Sequence, residues 1–151
     1  DPLDLAELVR EEAENWLPAA TAKDIDLGFE VAPAPLHGSP LLLKEMLANL
    51  VDNALRYTPP GGTVTVRCGI REGAAFLEVE DSGPGIPPAE GERVFERFHR
   101  LSGADDEGCG LGLAIVREIC NQHGAAVAAV EAEILGGACF RVKFPAANLS
   151  G

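Results

Sequence analysis

Three alternate glycines, Gly108, Gly110 and Gly112, run straight into a helical apolar pattern, Leu113-Ala114-Ile115-Val116-Arg117-Glu118-Ile119. A chain with that junction starts a helix there and leaves the first amides of the helix within reach of a ligand. Glycine permits backbone angles and close approaches barred to other residues, and the helix start presents unpaired donors and the positive end of its dipole. This is a geometry that binds phosphate, although a plain glycine-rich turn would use the same residues. Two familiar phosphate motifs are excluded. No Gly-Lys pair occurs anywhere, so there is no P-loop, and position 113 is Leu where a dinucleotide fingerprint needs its third Gly.

Upstream of that junction the apolar periodicity alternates between helix and strand. Asp4 with Glu7 reads as a capping box for a first helix whose stripe is Leu5, Leu8, Val9, Ala13, Trp16 and Leu17, ending at Pro18. Ile25, Leu27, Phe29 and Val31 then alternate with Asp26, Gly28 and Glu30, as in a half-buried strand closed by Pro33 and Pro35. Ser39 and Pro40 begin a second helix with a core stripe of Leu43, Met46, Leu47, Leu50, Val51, Ala54 and Leu55. Its opposite ridge carries Glu45, Asn49, Asn53 and Arg56, at spacings that put the side chains in one line.

The Thr58 to Gly62 turn leads to a hairpin, with alternating Val64, Val66, Cys68 and Ile70, a turn at Glu72-Gly73, and a strand through Leu77 and Val79. The hairpin ends at Asp81-Ser82-Gly83-Pro84-Gly85-Ile86-Pro87-Pro88, too rich in Gly and Pro for regular structure. A short apolar segment, Val94-Phe95-Glu96-Arg97-Phe98, comes next, and the stretch from His99 to Glu107 is polar enough to read as a mobile loop. Beyond the glycine-led helix, Gly124 is placed as a C-cap. Two strands follow, near Val127 to Ile134 and Cys139 to Phe144, with Gly136-Gly137 turning between them.

The length of 151 residues suits a single domain spanning 1–151, structured over about 4–145. A formal net charge of -12 excludes general binding to nucleic acid or anionic membrane, both of which require a basic field. A phosphate ligand on so acidic a chain calls for a metal or local cations. Cys68, Cys109, Cys120 and Cys139 show neither zinc-site nor disulfide-framework spacing, which leaves reduced thiols in a cytosolic setting as the expectation. The opening residues read as the interior of a longer chain.

The asparagine-bearing ridge, the Asp81-Ser82-Gly83-Pro84-Gly85 loop after a strand and the Gly108 to Gly112 turn together resemble the ATP-binding catalytic domain of bacterial sensor histidine kinases. That family shares the Bergerat fold with DNA gyrase and MutL. The three features resemble its asparagine box and its two glycine boxes, Val94 to Phe98 resembles its phenylalanine box, and the likeness runs from about Asp4 to Pro145. It implies a two-layer α/β sandwich, a mixed sheet of about five strands backed by three main helices, with a lid from Pro87 to Glu107.

The resemblance also implies ATP and Mg²⁺ as cofactors. Asn49 is the implied Mg²⁺ ligand, with Asn53 beside it at the metal or the phosphates; Arg56 lies on a phosphate, and Tyr57 is a neighbouring contact. Asp81 accepts the exocyclic amine of adenine, Gly83, Gly85 and Ile86 shape that pocket, and Gly108, Gly110, Leu111, Gly112 and Leu113 form the phosphate side. Neutral amide oxygens suit Mg²⁺, and a carboxylate at a strand end suits an amine donor. Cys109 departs from the Ser or Thr usual between those glycines. Glu45, one turn before Asn49, is open between a catalytic role and a solvent-facing one. None of His37, His99 and His123 has the context of a phosphoacceptor. The implied partner is therefore a dimerisation and phosphoacceptor domain of the same kinase, absent from this chain, with a response regulator served indirectly. The isolated domain is then expected to be a monomer, and the full protein a homodimer anchored in the membrane with this part in the cytoplasm. Rivals are an ATPase or protein-serine kinase of the same fold, and a nucleotide-binding module that signals only by docking.

Overall fold

The computed structural model describes residues 2–83, 112–131 and 134–145. Helix α2, Pro40–Tyr57, organises the rest. Its start is set by Ser39, whose Oγ accepts from Leu42 N–H at 3.2 Å, and by Pro40 in the first turn, where a missing N–H costs nothing. All seven positions expected to face the core, from Leu43 to Leu55, are buried. α2 lies between α1, Leu5–Ala22, and α3, Gly112–Gln122, and the three helices cover one face of a five-stranded sheet.

In chain order the strands of that sheet are β2 (Asp26–Val31), β4 (Thr63–Arg71), β5 (Ala74–Asp81), β6 (Ala126–Glu131) and β7 (Ala138–Lys143). Their spatial order is β2-β4-β5-β7-β6; β2 runs parallel to β4 and every other neighbour is antiparallel. The β4–β5 hairpin turns at Glu72-Gly73, both at positive φ (56° and 80°), as a two-residue turn of the I′ kind demands. Val64, Val66, Leu77, Val79, Phe140 and Val142 point into the helical layer, and each is at most 1% exposed. This is the expected two-layer sandwich with a mixed sheet and three main helices. A small antiparallel ribbon of β1 (Pro2–Asp4) and β3 (Pro35–His37) stands beside it and was not foreseen.

Three local expectations need correction. Helix α1 passes through Pro18 to Ala22. An interior proline costs about 3 kcal/mol, but here it is exposed while Trp16 and Ala20 on either side are buried, and Trp16 stacks on Phe29 with ring centroids 6.2 Å apart. Packing outweighs the lost hydrogen bond, and Leu17, assigned to the core stripe, is 42% exposed instead. The end of α1 is held by Lys23, whose Nζ donates to the carbonyls of Leu55 and Arg56 at 2.8 Å each and so caps α2 as well. At the other end, Asp4 Oδ1 accepts from Ala6 N–H (2.9 Å) and Ala34 N–H (2.8 Å), not from Glu7 N–H as a capping box would have it. Finally, β6 ends at Glu131. Ile134 is 75% exposed, on a turn described below.

Candidate nucleotide-binding site

Strand β5 delivers Asp81 to the end of the sheet, where its side chain is only 3% exposed. Oδ1 accepts from Gly83 N–H at 2.9 Å and from Ala138 N–H at 3.1 Å, and the Asp81 carbonyl accepts from Gly137 N–H at 3.1 Å. Glycine is required here by proximity: a Cβ on Gly83 would sit 2.8 Å from the Tyr57 carbonyl oxygen, and one on Gly137 would collide with Asp81. Burial pushes the Asp81 carboxyl above the usual carboxylate range; the Ala138 and Gly83 amides pull against that rise and the charge of Glu80 adds to it. Thr58, the C-cap of α2, is fully buried beside Gly62, and no described residue bonds to its Oγ1. The C-terminal end of α2, the Asp81 loop and the β6–β7 turn therefore converge on one point.

A second point lies higher on α2. A Cβ on Gly112 would lie 3.6 Å from Asn49 Oδ1, so the first residue of α3 abuts the asparagine ridge. Asn49, Asn53, Tyr57, Gly112 and Leu113 are partly buried, whereas Glu45 and Arg56 are exposed. From Asn49 to Tyr57 the helix rises about 12 Å, and the two points are joined by one rigid element. Helices α2 and α3 are antiparallel and are pinned at their far ends by His123. Its Nε2 accepts from Ser39 N–H at 3.1 Å, and its Nδ1 donates to the Ile119 carbonyl at 2.8 Å.

The structure thus brings Asn49 to Gly112, and Tyr57 to Gly83 and Asp81. Gly85, Ile86, Gly108, Cys109, Gly110 and Leu111 lie outside the described residues, as do the segment Val94 to Phe98, His99 and the lid from Pro87 to Glu107. Sequence reasoning missed Gly137 and Ala138 as the donors that orient Asp81, although the Gly136-Gly137 pair marked the turn. It also missed His123 as a clamp, for which its place at the helix end was the available signal. The described cysteines, Cys68, Cys120 and Cys139, are free and buried. Burial pushes their thiols up to about 11, 11 and 12, which leaves them protonated and unreactive.

Residues 38–148 match the family described as histidine kinase-, DNA gyrase B- and HSP90-like ATPases. The sensor protein kinase PmrB of Pseudomonas aeruginosa is 42% identical over 123 residues, which are 81% of this chain and 26% of PmrB. The chain thus spans about a quarter of the length of that relative. Among solved structures, the mycobacterial sensor histidine kinase MprB superposes with a TM-score of 0.86 at 34% identity, covering 96% of this chain and 97% of that one. Full-length ShkA in complex with AMPPNP gives 0.81 at 32% identity, over 96% of this chain and 30% of ShkA. With its buried strand-end aspartate, its asparagine ridge against a helix start and these likenesses, the chain belongs to the histidine kinase-, DNA gyrase B- and HSP90-like ATPase family, as an ATP-binding catalytic domain of the sensor histidine kinase type.

Proposed function

We propose that this domain binds ATP with Mg²⁺ and passes the γ-phosphate to a histidine on a separate dimerisation and phosphoacceptor domain of the same kinase. The observation that carries the reading is Asp81, a buried carboxylate at a strand end whose donors among the described residues, Gly83 and Ala138 N–H, both fall on Oδ1. The other oxygen is left to accept the exocyclic amine of adenine. Guanine presents an acceptor at that position and is disfavoured, because two acceptors facing each other in a closed pocket leave both unsatisfied.

Among the described residues no three His, Cys, Asp or Glu side chains could together hold a metal ion. Asn49 and Asn53 would hold a cation through their amide oxygens together with phosphate oxygens, a donor set that Mg²⁺ accepts. When bound, Mg²⁺ neutralises charge on the phosphates. Gly112, Leu113 and the α3 amides receive phosphate oxygens at the helix start, a role the sequence extends to Gly108, Gly110 and Leu111. Arg56 adds a cation from the last turn of α2, and Tyr57 follows it, its carbonyl close to Gly83. Gly85 and Ile86 complete the adenine pocket. Glu45 shares the Asn49 ridge one turn upstream, where a carboxylate could orient the incoming imidazole. Catalysis of this kind is chiefly a matter of alignment and charge stabilisation.

His37 sits in β3 and His123 is committed to its clamp, so neither serves as acceptor. The acceptor lies on a partner domain, the whole protein is a homodimer that serves a response regulator, and this part faces the cytoplasm below a membrane anchor. Labelled ATP, added to the domain with and without the parent protein's acceptor hairpin, tests the transfer. Acid-labile label on the hairpin alone is expected; its absence would favour an ATPase or a docking module. Asn49→Ala should lose the stabilisation that ATP and Mg²⁺ give in a melting scan while the apo melting temperature stays put.

A further inference from the structure

We propose that Glu80 and Arg67, on the sheet face turned away from the helices, set the nucleotide selectivity of Asp81 by clamping the turn Ile134 to Ala138, which supplies one of the two donors to Asp81 Oδ1. The inference rests on the reading of Asp81 as the adenine acceptor. Successive residues of a strand point to opposite faces, so Glu80 and Asp81 leave the end of β5 in opposite directions. Both nevertheless hold the same turn. Glu80 Oε2 accepts from Ile134 N–H at 3.0 Å and from Leu135 N–H at 2.8 Å. After the bend at Gly136, whose φ is 89°, Gly137 N–H donates to the Asp81 carbonyl and Ala138 N–H to Asp81 Oδ1. The last two residues of β5 thus take four amides from a single turn.

Hydrogen bonds rather than burial decide where the Ile134-Leu135 end of this turn sits. Ile134, its largest side chain alongside Leu135, is 75% exposed and contributes little packing. Glu80, by contrast, is only 2% exposed and fixed on its other side, where Oε1 meets Arg67 Nη2 at 2.5 Å. Arg67 is itself held by Glu30 at 3.0 Å and Glu78 at 3.5 Å. Desolvation would raise the Glu80 carboxyl, but the Leu135 amide and Arg67 outweigh it and hold the group below its ordinary range. Glu80 is therefore ionised at neutral pH, and an ionised acceptor makes the stronger bond to an amide. Removing its side chain frees the 134–135 end, lets the Ala138 amide drift from Oδ1, and leaves the Asp81 carboxylate with Gly83 N–H alone to orient it.

The test uses the intact domain and its variants Glu80→Ala, Glu80→Gln and Asp81→Asn, with calorimetric titration of Mg²⁺-ATP and Mg²⁺-GTP and amide hydrogen exchange at Ile134, Leu135 and Ala138. Glu80→Ala should lose about fivefold in ATP affinity and narrow the ATP-to-GTP ratio to a similar degree, with faster exchange at Ala138. Glu80→Gln keeps an acceptor for the turn and should restore most of the ratio, which a merely structural loss would not. If Glu80→Ala does not fold, Arg67→Gln gives the same reading with a smaller shift in the ratio. A parent that prefers ATP while a folded Glu80→Ala keeps the same ratio overturns the clamp alone. A parent with no preference, or an Asp81→Asn variant that keeps the parent's preference, overturns the adenine reading and the proposal with it.

Discussion

The two faces of the sheet are built from the same strands and reach satisfaction by opposite means. Toward the helices, Val64, Val66, Leu77, Val79, Phe140 and Val142 are dry and apolar. Away from them, Glu78 and Glu80 are 3% and 2% exposed and are enclosed by arginines. Glu78 receives Arg71 at 2.8 Å and Arg141 at 2.6 Å, while Arg67 reaches Glu78, Glu80 and Glu30. Arg71 also lies 4.0 Å above the Phe76 ring. An apolar face tolerates small shifts of its contacts, whereas buried charges demand particular partners at particular angles. The stability of the domain therefore comes mostly from the helical side, and the fine placement of the turn that holds Asp81 comes from the other.

The sharpest way to break that division is to open a hole on each face of the sheet. On the helical face, Phe140→Ala should cost about 3–5 kcal/mol in urea unfolding, since a fully buried ring leaves both lost transfer energy and a cavity. On the other face of the neighbouring strand, Glu78→Ala should cost less, about 1–3 kcal/mol. The Arg71 side chain, 45% exposed, turns to water when its carboxylate is gone. Equal losses would mean that the charged face is as much a core as the apolar one.

The apolar face was legible in the sequence and the charged face was not. The stripe from Leu43 to Leu55 and the alternation from Val64 to Val79 follow directly from helix and strand periods, and the Glu72-Gly73 turn from its chemistry. Glu78 and Glu80 obey the same alternation, which by itself does not tell a solvated side of a strand from a buried one. Their burial depends on Arg67, Arg71 and Arg141 arriving from adjacent strands, which requires the spatial order β4-β5-β7. That order, like the parallel pairing of β2 with β4 and the β1–β3 ribbon, is a long-range fact no local pattern contains. Asp81 was singled out because a carboxylate before two glycines at a strand end is a local signal that the family resemblance also uses. Ala138, which orients it, carries no chemistry of its own beyond an amide. Pro18 misled because a propensity for ending helices was weighed without the packing of Trp16 and Ala20.

Acidification should separate the faces of β5 by sign. Desolvation opposes ionisation of Glu78, yet Arg71 and Arg141 win and hold it low, and Glu80 is held low by its turn amide and Arg67. The stabilisation from both is complete above the ordinary Glu value of about 4.3 and is lost as pH falls through their lower folded values. Asp81 runs the other way, because burial raises it: ionisation there opposes folding at neutral pH, and the penalty fades as pH drops through the raised value. In melts from pH 7 down to 3, Asp81→Asn should raise stability at neutral pH and raise it less in acid. Glu78→Gln should destabilise at neutral pH and converge on the parent at the acid end. Parallel behaviour of the two variants would contradict the assignment of opposite environments.

The smallest effect tests whether charge or enclosure gives the arginine network its value. Lys44 and Glu11 join α2 to α1 by an ion pair at 3.3 Å, a distance within the range of the network, but their side chains are 39% and 59% exposed. Water screens such a pair, and ordering two long side chains offsets most of what remains. Lys44→Ala should change stability by less than about 0.5 kcal/mol, and a double-mutant cycle with Glu11→Ala should return a coupling near zero that vanishes in 1 M salt. The same cycle on Arg67 and Glu80, 13% and 3% exposed, should return a larger coupling that salt barely touches. If the two couplings matched in size and in salt response, enclosure would not distinguish them, and the charged face of the sheet would be an ordinary surface that happens to be crowded.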